Sequence, residues 1–179
     1  MIPALETARL ILRGVTAADA PDLQRHVDDY EVIRTLDLRV PWPYPEDGAR
    51  HFVDSVLPEQ GRDRWVWALR LKAAPDEAIG ILDLRRGAGS NRGFWLGRCF
   101  WGQGLMSEAC DAVTDYAFGT LGFERLIFVN AAGNARSRRI KEKAGAVLLR
   151  TEPGLFADPA LTKQEVWELT RATWAARVV

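Results

Sequence analysis

The sequence predicts an α+β (mixed α/β) chain of seven strands and four helices, arranged as a single domain over 1–179. Three observations predict it. Trp65, Trp67, Leu69 and Leu71 alternate with Arg64, Val66, Ala68 and Arg70, the period of a half-buried strand. Met106, Ala109, Cys110, Val113, Ala117 and Leu121 repeat at helical spacing directly after the glycine-rich turn Gly102-Gln103-Gly104. The elements also succeed one another as strand, two helices, three strands, helix, strand, helix, two strands, with no internal repeat.

Leu10 to Arg13 is the first strand, with Leu10 and Leu12 on one face. Thr16 or Asp19 offers an N-cap, and Leu23, Val27 and Tyr30 predict a helix near 17–32. Pro21 fits only near the start of that helix. Pro41-Trp42-Pro43-Tyr44-Pro45 is stiff and extended. It reads equally as a surface crossing or as an aromatic wall of a pocket. Ala49, Phe52, Val53 and Val56 predict a second helix near 46–57, with Glu46 and Asp47 in its first turn. His26 and His51 read as packed or solvated side chains. Residues 64–84 form an antiparallel hairpin turned at Pro75-Asp76.

Gly87 to Gly93 is a loop, and Phe94 to Phe100 is the central strand. The main helix starts near Gly104 and stops at Gly122. Arg125 to Asn130 is a short, mostly apolar strand of the buried kind. Asn134 to Lys143 is the last helix, and Val147 to Glu152 and Gln164 to Thr170 close the chain.

Nearly half the residues are apolar, enough for a sizeable core. Lys plus Arg (24) equals Asp plus Glu (24), so bulk charge argues for neither nucleic acid nor membrane. Cys99 and Cys110 read as buried small hydrophobes, with no metal-ligand spacing and hence no metal. No apolar run approaches roughly 18 residues, and Met1 to Leu10 does not resemble a leader. A soluble cytoplasmic protein is the resulting expectation.

The chemistry is concentrated in Phe94 to Ala109, FWLGRCFWGQGLMSEA. A strand running through glycines into a helix leaves the first N–H groups of that helix unpaired, a site for an anion. A Walker A loop would need Lys-Ser/Thr where Leu105-Met106 stand. A dinucleotide fingerprint would need glycine in place of Ser107 and an acid in place of Asn130. Glycine inside a strand, as at Gly97, marks a bulge or a close backbone approach.

The WGQGLMSEA run and the later Asn134-Ala135-Arg136-Ser137 resemble the acyl-CoA-binding motif of the GNAT superfamily of N-acetyltransferases. The resemblance is closest to its RimJ/RimL-like branch, whose opening strand Glu6 to Arg13, ETARLILR, is also similar. It extends over almost the whole chain, because the order of elements matches the GNAT fold. It implies a mixed, mostly antiparallel seven-stranded sheet flanked by about four helices. It also implies acetyl-CoA as co-substrate, held at its pyrophosphate by the N–H groups of Gln103, Gly104, Leu105, Met106 and Ser107. Leu96, Gly97 and Arg98 would pair with the pantetheine arm. Asn134 would bond the same arm, and Ser137 would protonate the leaving thiolate. The nearest match to a base is Glu152. Glu108 reads as structural, and Asp83 as a second acid that enters the site.

By the same resemblance the acceptor is an amine, on a protein N-terminus or a small molecule. The chain departs from the motif at Trp101, where Arg or Gln is usual, and at Met106, where Gly or Ala is usual. Met106 therefore keeps open a second reading, an acyl-CoA-binding protein without turnover. A third is an interaction module whose tryptophans hold a homodimer. The basic run Arg136, Arg138, Arg139, Lys141 and Lys143 reads as a solvated helix face, with one or two members available to the 3′-phosphate of the cofactor.

Overall fold

The computed structural model describes residues 2–87 and 89–177. In chain order it forms β1 (Leu5–Glu6), β2 (Leu10–Gly14), α1 (Ala20–Val27), α2 (Tyr30–Ile33), α3 (Gly48–Val56), β3 (Arg64–Leu71), β4 (Gly80–Arg85) and β5 (Arg92–Leu96). There follow α4 (Leu105–Gly119), β6 (Arg125–Ala131), α5 (Ala135–Lys143), β7 (Val147–Pro153), β8 (Lys163–Thr170) and α6 (Arg171–Ala175). The strands make one sheet in the order β1-β2-β3-β4-β5-β6-β8-β7. Every neighbouring pair is antiparallel except β5 and β6. This is the mixed, mostly antiparallel sheet that the sequence implies. It has eight strands rather than seven because Leu5 and Glu6 pair with Leu12 and Ile11.

The sheet is covered on both faces. Trp65, Trp67 and Leu69 of β3 join Leu10, Leu12, Leu82 and Leu84 in a core closed by Ala109, Val113 and Ala117 of α4. On the other face Val66 and Ala68 pack with Leu23 of α1 and Val53 and Val56 of α3. β3 is therefore buried on both sides rather than half-buried, which the apolar run from Trp65 to Leu69 allows.

The single helix expected near 17–32 is instead two. Asp28 and Asp29 interrupt it, and the Asp29 carboxylate accepts from Glu31 N at 2.8 Å to start α2 afresh. Pro21 sits in the first turn of α1, where its missing N–H is tolerated. Of the two readings of residues 41–45, the geometry favours the surface crossing. Trp42 is 44% exposed and lies against Tyr30, and it lines no part of the cleft described below. Cys110 is buried, but Cys99 is exposed, contrary to expectation, and both are free thiols. α4 ends at Gly119, short of Leu121, and the chain turns into β6 at Gly122 with φ +71°.

The central strand differs most from expectation. β5 starts at Arg92 and stops at Leu96, so Arg98 to Phe100 form a short 3-10 turn instead of continuing it. Two bonds fix the end. Gly97 N donates to Ile79 O at 2.9 Å, and the Trp101 indole N–H donates to Leu96 O at 2.7 Å.

β4 meets β5 so closely that a Cβ on Gly80 would lie 2.4 Å from Trp95 O and 2.9 Å from Leu96 Cα. Both are backbone atoms and cannot swing away. Gly80→Ala is expected to destabilise the protein by about 1–3 kcal/mol by forcing the two strands apart. A urea titration checks this, and an unchanged midpoint would show that the strands yield freely.

Candidate active site

β5 and β6 pair at one position, Arg92 with Phe128. Just before it, Asn91 clips the strands together: its N–H donates to Ile127 O, and its side-chain oxygen accepts from Ile127 N, each at 2.7 Å. Beyond that point Phe94–Leu96 and Val129–Ala131 form no pairs with each other. A cleft of about 800 Å³ opens there, lined by Phe94, Leu96, Val129, Asn130 and the starts of α4 and α5.

α4 points its first turn at this cleft. Gly102 (φ +78°) and Gly104 (φ +77°) take left-handed conformations that side chains resist, and so turn the chain into the helix within three residues. The first intrahelical bond runs from Glu108 N to Gly104 O at 3.1 Å, so the N–H groups of Leu105, Met106 and Ser107 precede it. Gly104, Leu105, Met106 and Ser107 all line the cleft. Met106 is 8% exposed and packs its side chain into the main core.

The turn is braced from the far edge of the sheet. Arg9 donates to Gln103 O at 2.9 Å and forms an ion pair with Glu108 at 2.7 Å. Glu108 also accepts from Arg9 N and the Thr7 hydroxyl. Burial pushes its carboxyl pKa up, but the Thr7 and Arg9 bonds outweigh this and hold it below the usual range. Glu108 is thus an anchor of α4, as the sequence suggests.

α5 faces α4 across the opening. Asn134 caps it, its side-chain oxygen accepting from Ser137 N at 3.2 Å. Ser137 is mostly buried, lines the cleft, and accepts a hydrogen bond from Lys141 Nζ at 2.7 Å. Lys141 itself is 1% exposed, so the basic run is not uniformly solvated as expected. Burial first, then the nearby Arg92 charge, push the Lys141 pKa down to about 7. Arg92 is buried too, over the Phe128 ring at 4.0 Å, with Nη1 on the Thr114 hydroxyl at 3.2 Å and its Nε and Nη2 unpartnered. Sequence reasoning missed Lys141. The signal available was its position one helical turn after Ser137.

The remaining expected residues divide. Leu96, Asn134, Ser137 and Glu152 all line the cleft; Gly97 and Arg98 do not. Arg98 lies outside β5 and turns towards Asp29, 3.7 Å away. Gly97 is needed for packing on the opposite side, where a Cβ would sit 2.7 Å from His26 Nδ1. His26 in turn is fixed by Glu77 at 2.9 Å. Glu152 accepts from Arg150 at 2.6 Å and from Gln164 at 2.9 Å. The Arg150 bond, then the Gln164 bond, hold its carboxyl below the usual range. Asp83 pairs with Arg64 at 2.9 Å and does not enter the cleft.

The cleft is strongly basic although the chain is neutral. Eight arginines and lysines line it against two carboxylates, Asp37 and Glu152. Arg136, Arg139 and Lys143 of α5 are among them, with the Arg136 guanidinium 3.9 Å over the Trp101 ring. Such a field draws a polyanionic ligand.

A mostly antiparallel sheet split at one parallel seam, with a free helix start opening on the split, is the fold of the GNAT acetyltransferases. The acetyltransferase (GNAT) domain family matches residues 9–147, and the chain belongs to that family. It is 36% identical over 53 residues to the "Putative ribosomal N-acetyltransferase YdaF" of Bacillus subtilis (strain 168), a match spanning 30% of this chain and 29% of that protein. Its structure is similar to that of a "putative acetyltransferase from T. thermophilus", with a TM-score of 0.76 and 26% identity over 98% of this chain and 93% of that one. It shares its fold with Mycobacterium smegmatis RimJ in complex with CoA-disulfide, with a TM-score of 0.79 and 18% identity over 95% and 87% of the chains. RimL, a ribosomal-protein acetyltransferase solved with coenzyme A, is another structural neighbour. Among the described residues no helix is long and apolar enough to cross a membrane.

Proposed function

We propose that the protein transfers the acetyl group of acetyl-CoA to a primary amine, by direct attack of the amine on the thioester. One observation carries the reading: the free first turn of α4 and the unpaired edges of β5 and β6 open on the same basic cleft. The N–H groups from Gly104 to Ser107, aided by the helix dipole, hold the pyrophosphate. Gln103 shapes that turn. The pantetheine arm lies along Leu96, whose carbonyl is already taken by Trp101, and meets the Asn134 side chain across the gap. A backbone N–H on the β5 edge polarises the thioester carbonyl as its oxygen gains charge. Ser137 gives the leaving sulfur its proton.

Glu152 faces the acceptor side as a carboxylate. Its depressed pKa favours drawing in the ammonium and passing its proton to water over holding the proton itself. The acceptor is the α-amino group of a protein N-terminus or a small-molecule amine, and the names of RimL and YdaF put ribosomal proteins first among those to try.

Calorimetric titration with acetyl-CoA, 3′-dephospho-CoA and NAD is the first test. Acetyl-CoA is expected to bind, 3′-dephospho-CoA to bind more weakly for loss of contacts with α5, and NAD not to bind. Incubation with an amine panel and ribosomal-protein N-termini then reads transfer by mass. Binding without any transfer would leave an acyl-CoA-binding protein. Failure to bind acetyl-CoA would remove the enzyme. Turnover unchanged in both Ser137→Ala and Glu152→Ala would remove the two proton-transfer assignments.

A further inference from the structure

We propose that Lys141 is the proton source behind Ser137, a buried positioning residue that recharges the serine hydroxyl as the thiolate leaves. The inference rests on the transferase reading and adds a residue to it.

Three observations point to it. Lys141 is 1% exposed, yet its Nζ makes no ion pair among the described residues. Its hydrogen bonds go to Ser137, to Oγ at 2.7 Å and to the carbonyl oxygen at 3.4 Å. The groups facing it from the packed elements do not neutralise it. Arg92 of β5 adds a like charge, and Cys110 of α4 is a buried thiol. Glu165 of β8 is already engaged by Arg138 at 2.9 Å and by Asn130 at 3.0 Å. A lysine serving only to fill this space would be poorer than a methionine, because the Ser137 hydrogen bonds and the Phe94 ring 5.9 Å away offset only part of the desolvation of its ammonium.

The proton chemistry gives the ammonium a use. When the tetrahedral adduct collapses, the carbon–sulfur bond breaks and its electron pair goes to sulfur. A hydroxyl alone is a poor acid for that sulfur, because it ionises far above an ordinary thiol, whose pKa is near ~8.5. Transfer from Ser137 by itself would leave a strongly basic alkoxide. If Lys141 gives its own proton to Ser137 Oγ as Ser137 gives one to sulfur, no alkoxide forms. The products are amide, free thiol and neutral lysine. The proton released by the attacking amine, passing through solvent, restores the ammonium, so the balance closes. A lysine held near neutrality is a stronger acid than the thiol, which makes the relay downhill.

Two measurements on the intact protein test this. The first reads Lys141 directly. The chain has four lysines, at 72, 141, 143 and 163, so side-chain nitrogen resonances are few, and the one lost in Lys141→Met is assigned. It is expected to titrate several pH units below the other three. Titration alongside the others would overturn the proposal whatever the turnover. The second is single-turnover acetyl transfer. Lys141→Met is expected to bind acetyl-CoA within about twofold of wild type by calorimetry and to lose roughly 10²-fold in rate. Ser137→Ala should lose a similar factor, and the double variant no more than either alone, as for groups acting as one unit. The wild-type rate should also carry a limb that falls as pH rises through the Lys141 titration, and Lys141→Met should lack it. An additive double variant, or an unchanged limb, would assign Lys141 to structure alone. A low titration in a protein that acetylates no amine would remove the transferase reading, and the relay with it.

Discussion

Lys141→Met is expected to raise the melting temperature at pH 7 even as it slows the chemistry. An unfolded lysine holds its proton up to about 10.4, whereas the buried amine of Lys141 releases it at about 7. Between those values the unfolded chain binds a proton that the folded chain does not. Wild-type stability therefore rises with pH across this window, and the penalty is nearly complete at pH 7 and complete below it. Methionine fills a similar volume and carries no such penalty. The gain is on the order of a few kcal/mol at pH 7, several degrees for a chain of this size. It should shrink towards nothing by about pH 10. Melting curves of both proteins from pH 6 to 10 measure the difference, and parallel curves would mean that the amine is solvated in the folded protein.

Gly104→Val is expected to lose acetyl-CoA binding by at least about tenfold. The residue stands at φ +77° as the N-cap of α4, and a β-branched side chain is a marked outlier there. Keeping the turn would cost roughly 1–2 kcal/mol, and the chain can escape that cost only by rotating the peptides that aim the first N–H groups into the cleft. The Arg9 guanidinium lies at ordinary contact distance, 3.6 Å from the ideal Cβ, so the cost comes from the backbone conformation rather than from crowding. Calorimetry separates the outcomes. A lower melting temperature with full affinity would mean that the turn survives under strain, and that the amides of residues 105–107 tolerate it.

The parts of the molecule legible in the sequence are those set by local rules. The alternation around Trp65 and Trp67 marks β3, the glycines at 102 and 104 mark the start of α4, and Asn134 marks the cap of α5. Each depends on residues a few positions apart. What the sequence hides depends on distant partners. β5 ends at Leu96 because Ile79 and Trp101 take the bonds that would have continued it, and it begins at Arg92, where the chain pairs with Leu84 of β4 and Phe128 of β6 and where the Phe128 ring covers the buried guanidinium. Lys141 looks solvated in a run of five basic residues, and only the approach of β5 and α4 buries it. The same holds at Gly97. Its place in the sequence suggests a close approach to ligand, and its observed neighbour is the ring of His26. Asp83 likewise reads as a site acid until the fold sets it beside Arg64.

The sheet is continuous in name but nearly divided in mechanics. Five strands on one side and three on the other share one ladder rung, Arg92 with Phe128, and the Asn91 clip beside it. Past that rung Phe94–Leu96 pair only with β4 and Val129–Ala131 only with β8, so the amide protons that face the gap lack the strand partners that slow exchange with solvent elsewhere in the sheet. An extended molecule seated in the gap would splice the two blocks together, so the protein would be stiffest when loaded and would regain its compliance when the product departs.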